Sequence, residues 1–386
     1  MNRRNFLTAF GSFPLFGAVG GHRIDSWELL RIKVNRLGNW LIIKVKTDKG
    51  LVGLGDASHG SDPKTEAALA SLFQGLKGAS PFDIEPYRKR SMAAALQEAG
   101  RSGQVAFSAF EQAMYDLQGK ILGVPCWALF GGKLRDRVRN YANVNRASAD
   151  RSPAEFAKLA AAAVKSGFDA VKMASFDGLP KSPADKRAAG TQLGIDCIAA
   201  VRKTIGPDRE LLVDGHNHFT LEEALDVTRR LARYKLFWWE ESVRGIENLA
   251  VVNREAPMQT AGGESLYGIE QFQPYIRGGA VDVVMPDVKY CGGMAELKKI
   301  SVMAEAAGLT CAPHGPASPV GNMAAAHVCA TLPNFLILEL GFGETTWRGD
   351  LVSPPEVFEP GGMLTVSDRP GLGIEINERV AREHAA

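Results

Sequence analysis

An α/β barrel preceded by a smaller α+β domain is the fold this sequence predicts, and three observations predict it. Asp214, Glu240, Glu264, Asp287, His314 and Glu339 stand 26, 24, 23, 27 and 25 residues apart, each closing a short apolar run (ELLVD, LFWWE, MQTAGGE, VDVVMPD, LTCAPH and FLILE). Such a spacing covers one strand, one helix and two loops, the repeat of a barrel of roughly 250 residues. Residues 26 to about 135 lack the rhythm, and beyond Pro354 the chain stops repeating. Six ionisable groups at the same end of successive strands converge on one mouth. Active sites of such barrels lie there, so the rhythm points to an enzyme.

The elements follow in order. Residues 1–21 carry Arg3-Arg4-Asn5-Phe6-Leu7 ahead of a weakly apolar stretch from Thr8 to Val19. This pattern reads as a twin-arginine export signal, too short and broken to anchor in a bilayer. It implies a periplasmic or otherwise exported protein, with a cytoplasmic one as the alternative. Residues 26–135 form the α+β domain. There a hairpin joins Asn39–Lys46 to Leu51–Asp56 through the turn at Thr47-Asp48-Lys49-Gly50. Helical spacing follows from Pro63 to Gly123, as in Phe107, Phe110, Met114 and Leu117. The barrel spans 136–353, opening at Val138–Val144. Ser152-Pro153-Ala154-Glu155 and Thr220-Leu221-Glu222-Glu223 each place a capping hydroxyl three residues before a glutamate, marking helix starts behind strands. The Gly-Pro-rich segment 354–386 is expected to pack back on the N-terminal domain.

Composition narrows the class. The 386 residues, 45% hydrophobic, suffice for a full barrel core and a second domain. A formal net charge of +2 supplies no basic field for nucleic acid. Cys126, Cys197, Cys291, Cys311 and Cys329 are odd in number and never spaced as CxxC, so they read as buried apolar residues.

Asp214, Glu240 and Glu264 put three carboxylates on adjacent strands. Hard oxygen donors in that number suit Mg²⁺, and without a cation their like charges repel. Any one of them alone would read as a salt-bridged barrel carboxylate. Glu241 competes with Glu240 for the inward face, and register with the other strand ends favours Glu240. Asp287 and His314, from the next two strands, form a dyad in which the carboxylate sets the tautomer of a general base. His216, two residues beyond Asp214, shares that face if the strand continues, as a second acid or base. It could instead ligate metal or bond solvent. His218 is expected to be inert.

These residues bring a resemblance with them. Gly50-Leu51-Val52-Gly53-Leu54-Gly55-Asp56-Ala57, Phe110 to Lys120, Leu129 to Lys133, Trp239-Glu240-Glu241, Ala261 to Glu264, Met285-Pro286-Asp287 with Cys291-Gly292-Gly293, Pro313-His314 and Pro370 to Gly373 occur together and in order. From residue 26 onward the chain resembles the enolase superfamily, mandelate racemase subgroup. The resemblance implies a modified TIM barrel, (β/α)₇β, under an α+β capping domain completed by the C-terminal tail. It also implies Mg²⁺ on Asp214, Glu240 and Glu264, a His314–Asp287 dyad, and Glu339 near the substrate carboxylate. The family's Lys-x-Lys is here Lys172-Met173-Ala174, so the second base of its racemases is absent. Asp214-Gly215-His216 is similar to the Asp-x-His of its acid-sugar dehydratases. Asp56 and Ser242 stand where the family usually has glutamate and proline.

The implied chemistry is abstraction of a proton α to a carboxylate by His314, with Lys172 adding positive charge beside the same oxygens. His216 then serves as acid for loss of the β-hydroxyl, giving a 2-keto-3-deoxy acid. A racemase, epimerase or cycloisomerase acting through the same enediolate is the alternative, and a non-catalytic exported binding protein a remoter one. An amidohydrolase reading of His216-Asn217-His218 puts that motif on the wrong strand. The partner expected is a small carboxylate or sugar acid, for a homo-oligomeric enzyme. Arg36, Asn39, His59, Asn145 and Trp347 are candidate substrate contacts.

Overall fold

The structure, a computed structural model, describes residues 21–58 and 62–386. Among them eight parallel strands build the barrel: β4 (Arg137–Asn143), β5 (Ala170–Met173), β6 (Glu210–Asp214), β7 (Trp238–Glu240), β8 (Gln259–Gly262), β9 (Val283–Val284), β10 (Thr310–Cys311) and β11 (Leu338–Gly341). Neighbours pair in that order from β4 to β10, and β11 returns to pair with β4. A bridge from Cys311 to Phe335 helps close the ring. Seven helices lie between the strands, from Pro153–Lys165 to Pro319–Cys329, so the described barrel is (β/α)₇β. Ser152 caps the first of them by accepting from Glu155 N, with proline at the first helical position. Thr220 and Glu223 form a complete capping box on the third.

Alternation along the strands decides what the barrel encloses. Tyr141, Ala170, Leu212, Trp238, Ala261, Val283, Met285, Ala312 and Ile337 share one interior cluster. Tyr141 and Trp238 meet edge to face with centroids 5.4 Å apart. Counting by twos from these positions turns Asn143, Lys172, Ala174, Asp214, Glu240 and Glu339 inward as well.

The capping domain joins a three-stranded antiparallel sheet, β1 (Ile24–Asn35), β2 (Gly38–Thr47) and β3 (Val52–Asp56), to helices α1 (Asp62–Gln74), α2 (Ile84–Ala99) and α3 (Arg101–Leu122). The hairpin read from the sequence is β2–β3. Two carboxylates pin this domain to the barrel. Glu111 accepts from the backbone N–H groups of Met294 and Ala295 at 2.7 and 2.8 Å, at the start of a barrel helix. Gly293, at φ +94°, permits that approach; a Cβ there would run into the Glu111 side chain. Asp56 accepts from Ser318 N and Oγ at 2.8 and 2.6 Å, four residues past His314.

The tail closes on both domains. The strand Met363–Thr365 pairs with β4. Lys33 N donates to His384 O at 2.8 Å, and Leu372 N to Asp116 Oδ1 at 2.8 Å. All five cysteines are buried and unpaired, and no helix among the described residues is long and apolar enough to cross a membrane. The export pattern at Arg3-Arg4 lies outside the described residues, as does His59.

Candidate active site

The barrel mouth gathers every strand-end group the rhythm singled out. Lys172, buried on β5, bonds Glu240 and lies 3.2 Å from Asp214 and 3.4 Å from Glu339. Burial alone would discharge this ammonium, but Glu240 and Glu339 hold it well above the ordinary lysine range. Glu240 shares the inward face with Trp238, whose Nε1 donates to it at 2.9 Å. Glu241 has left the strand, at φ 44°, and accepts from Gly263 N and Asn217. Register therefore settles the choice between the two glutamates. Glu339 is not at a strand end; it is the second residue of β11. It still reaches the mouth, accepting from Gly315 N at 3.0 Å and from Asn143.

Two histidines face this cluster, each with Nδ1 held by a carboxylate. His314 Nδ1 meets Asp287 Oδ2 at 2.6 Å, and its Nε2 lies 3.1 Å from Glu264 Oε2. Burial works against its charge, yet Glu264, Glu339 and Asp287 raise its pKa. Asp287 is shared with Lys289, a fully buried lysine 2.8 Å away.

His216 does not continue a strand. β6 ends at Asp214, and His216 and Asn217 turn left-handed at φ 43° and 56°. The turn brings His216 Nδ1 onto Asp177 and leaves Nε2 3.1 Å from Asp214 Oδ2. Burial opposes its charge, but Asp214 and Asp177 push the imidazole up to about 12. Asp177 is itself fixed by Arg151 Nη2 at 2.9 Å and Asn145 Nδ2 at 3.2 Å. His218 stands at the edge of this group, 3.4 Å from Asp177.

The histidines, Lys172 and Glu264 line one cavity of about 340 Å³, with Asn143, Asn145, Arg146, Arg101 and Tyr290. A groove of about 350 Å³ beside Arg88, Met92 and Tyr267 contains none of these groups. Of the candidate contacts, Asn145 reaches the cavity, though its amide already serves Asp177 and Arg151. Arg36 donates to the Ser148 carbonyl at 2.7 Å, and Asn39 to Asp62 at 2.7 Å. Trp347 stacks on His384 at 3.8 Å, edge-on to Trp40. None of these three is among the residues that line the cavity. Asp177, Arg101 and Tyr290 carried no mark in the sequence. Asp177 sits in the turn-like Phe176-Asp177-Gly178, and the other two meet only across the domain junction.

The donor set suits a hard divalent cation. Asp214 and Glu264 each bring a carboxylate oxygen within 4.8 Å of the other, with the His216 imidazole rather than Glu240 as the third group in that reach; Glu240 is held instead by Lys172. Asp214 Oδ2 and Glu264 Oε2 are buried without a hydrogen bond of good geometry, although cationic groups stand nearby. Burial and the charge on Asp214 push the Glu240 carboxyl well above its ordinary range, a conflict that added positive charge relieves. Asp177, His216 and His218 are grouped as closely, but there Arg151 and Asn145 already satisfy the carboxylate.

Comparison with known proteins shows the family. Residues 155–380 match the enolase C-terminal domain-like family, and residues 32–131 match the mandelate racemase / muconate lactonizing enzyme N-terminal domain. The chain is 30% identical to a D-xylonate dehydratase of Haloferax volcanii, over 89% of this chain and 85% of that protein. It is also 30% identical to a D-galactarolactone cycloisomerase of Agrobacterium fabrum, over 94% and 95% of the two chains. A mandelate racemase/muconate lactonizing enzyme-like protein from Rubrobacter xylanophilus superposes with a TM-score of 0.86 at 30% identity, covering 95% of this chain and 98% of that one. The chain is an enzyme of the enolase superfamily and belongs to its mandelate racemase/muconate lactonizing enzyme family.

Proposed function

We propose that this enzyme removes water from an acid sugar to give a 2-keto-3-deoxy acid. The observation that carries the reading is the pair of carboxylate-held imidazoles, His314–Asp287 and His216–Asp177, lining one cavity with Lys172. Asp287 keeps a proton on Nδ1 of His314, so Nε2 is the nitrogen that takes the α-proton. Lys172, held in place by Glu339, orients the substrate carboxylate, whose negative charge grows as the C–H bond breaks. His216, charged and held by Asp177, donates a proton to the β-hydroxyl as the C–O bond breaks and water leaves. The resulting enol tautomerises to the ketone. Asp214, Glu240 and Glu264 are the residues that would hold Mg²⁺, which supplies positive charge for the developing enediolate.

The Haloferax volcanii relative named D-xylonate dehydratase supports elimination, as does a D-galactonate dehydratase of Verminephrobacter eiseniae, 28% identical over 90% of this chain. The cycloisomerase relative supports a second reading that shares the proton abstraction. Ala174, inward-facing and buried where a second base would stand, weighs against racemisation. A library of acid sugars incubated with the enzyme and Mg²⁺, assayed for 2-keto acids, tests the proposal. Epimers or isomerised lactones without any keto acid would transfer it to the isomerase reading. We also propose export of the folded enzyme, on the Arg3-Arg4 pattern alone.

A further inference from the structure

We propose that Arg101 receives a second carboxylate on the substrate, so that the acid sugar is a diacid, carboxylated at the end far from the reacting carbon. Arg101 opens α3 of the capping domain and lines the same cavity as Lys172, His216 and His314. Its guanidinium carbon lies 3.9 Å above the centre of the Tyr290 ring. That ring is 5.9 Å from the His314 imidazole, so this charge stands one aromatic ring away from the base.

What distinguishes Arg101 is its missing counter-charge. Arg146, which also lines the cavity, is ion-paired with Glu344, and nearby Arg151 with Asp177. Lys172 has Asp214, Glu240 and Glu339 around it. Arg101 forms no ion pair among the described residues. Its Nη2 donates to the Ser265 hydroxyl at 3.0 Å, while Nη1 is shielded from water and has no acceptor. A guanidinium is a fork of donors matched to a carboxylate, and a dry, unpaired donor on a charged group is costly. A sugar hydroxyl would leave the charge uncompensated. An incoming carboxylate would compensate it, and would displace the neutral Ser265 hydroxyl from Nη2, because charge-assisted bonds are roughly twice as strong as neutral ones.

The two walls of the cavity divide the substrate between them. Lys172, from a barrel strand, belongs to the reacting end; Arg101, from the cap, is left for the other. This assignment rests on the acid-sugar reading, so its test is binding rather than turnover. Calorimetric titrations of the full chain, with Mg²⁺ added, would compare aldarates with aldonates of the same configuration. The wild-type enzyme is expected to bind its best aldarate on the order of 100-fold more tightly than the matched aldonate. Arg101→Met should reduce that ratio to near unity. Arg101→Lys, keeping the charge without the fork, should restore part of it. Should Arg101→Met not fold, the wild-type ratio and Arg101→Lys decide the matter. Equal binding of both classes by wild type, an equal loss of both in Arg101→Met, or no binding of any diacid would overturn the proposal. A diacid bound through Arg101 but never converted to a keto acid would sink the dehydratase reading and leave this one standing.

Discussion

Replacing each histidine by asparagine separates the two proton transfers, and the surroundings set how much each loss costs. A positioned acid or base contributes roughly 10²–10⁴-fold, about 3–5 kcal/mol of barrier. The His314 side chain is 8% exposed and that of His216 33%. Water can therefore stand in for His216 far better than for His314. His314→Asn should lower exchange of the substrate α-proton with solvent deuterium toward the upper limit, by about 10⁴-fold. His216→Asn should lower keto-acid formation by about 10²-fold while exchange remains measurable. Asp177→Asn keeps the ring but loses a charge-assisted bond at Nδ1, for a loss of about tenfold in elimination. Proton NMR in D₂O reads exchange, and a semicarbazide assay reads the keto acid, on the same substrate. If His216→Asn loses exchange while His314→Asn keeps it, the two roles are reversed. Equal loss of both reactions in both variants would refute the division of labour.

Two further outcomes rest on the structure and a third on the N-terminal sequence. Glu264→Gln should weaken Mg²⁺ binding on the order of 100-fold, at least what outer-shell changes cost; unchanged affinity by calorimetry counts against Glu264 as a ligand. The variant should melt no lower than wild type, because the clustered carboxylates repel one another when no cation is bound. His327 is fully buried, accepting from Trp127 N at 3.3 Å and bonding Leu372 O at 3.1 Å, and burial lowers its pKa from 6.5 to about 4. It is neutral in the fold but charges on unfolding below pH 6.5. Its contribution is thus present above pH 6.5 and fades as pH falls toward 4, by about 3 kcal/mol. Urea midpoints for His327→Gln should show a shallower acid slope, and an unchanged slope would contradict the buried neutral state. Arg3→Lys with Arg4→Lys should retain the protein in the cytoplasm; fractionation finding normal export would remove the twin-arginine reading.

Much of the barrel mouth was legible because strands encode it locally. Asp214 and Glu240 end their strands, and Glu264, Asp287 and His314 follow theirs within three residues. Inner and outer positions alternate by necessity, so an apolar run predicts the direction of the polar residue that closes it. The same rule turns Glu339 inward between the outward Leu338 and Leu340, although it lies inside β11 rather than at its end. It does not account for how His216 arrives. Extension of β6 would have carried the ring along the strand face, whereas two left-handed residues fold it back onto Asp177. The first capping strand, Ile24–Asn35, had no clear alternation and was not anticipated.

The sequence by itself determined the barrel, the α+β domain and the carboxylate and histidine groups at the mouth, since these follow from periodicity or from a residue's place in its own repeat; Lys172 and the capping role of the α+β domain came with the family resemblance. Tertiary structure decided which atoms meet. Asp177 reaches His216 across 39 residues, and Arg101 reaches Ser265 across 164. Those partners sit in turns and at a domain junction, where no period constrains the side chain. Their positions follow from how the barrel closes and how the cap is pinned by Glu111 and Asp56. Local pattern sets the direction of a side chain within its own strand, but only packing brings two distant loops within hydrogen-bonding reach.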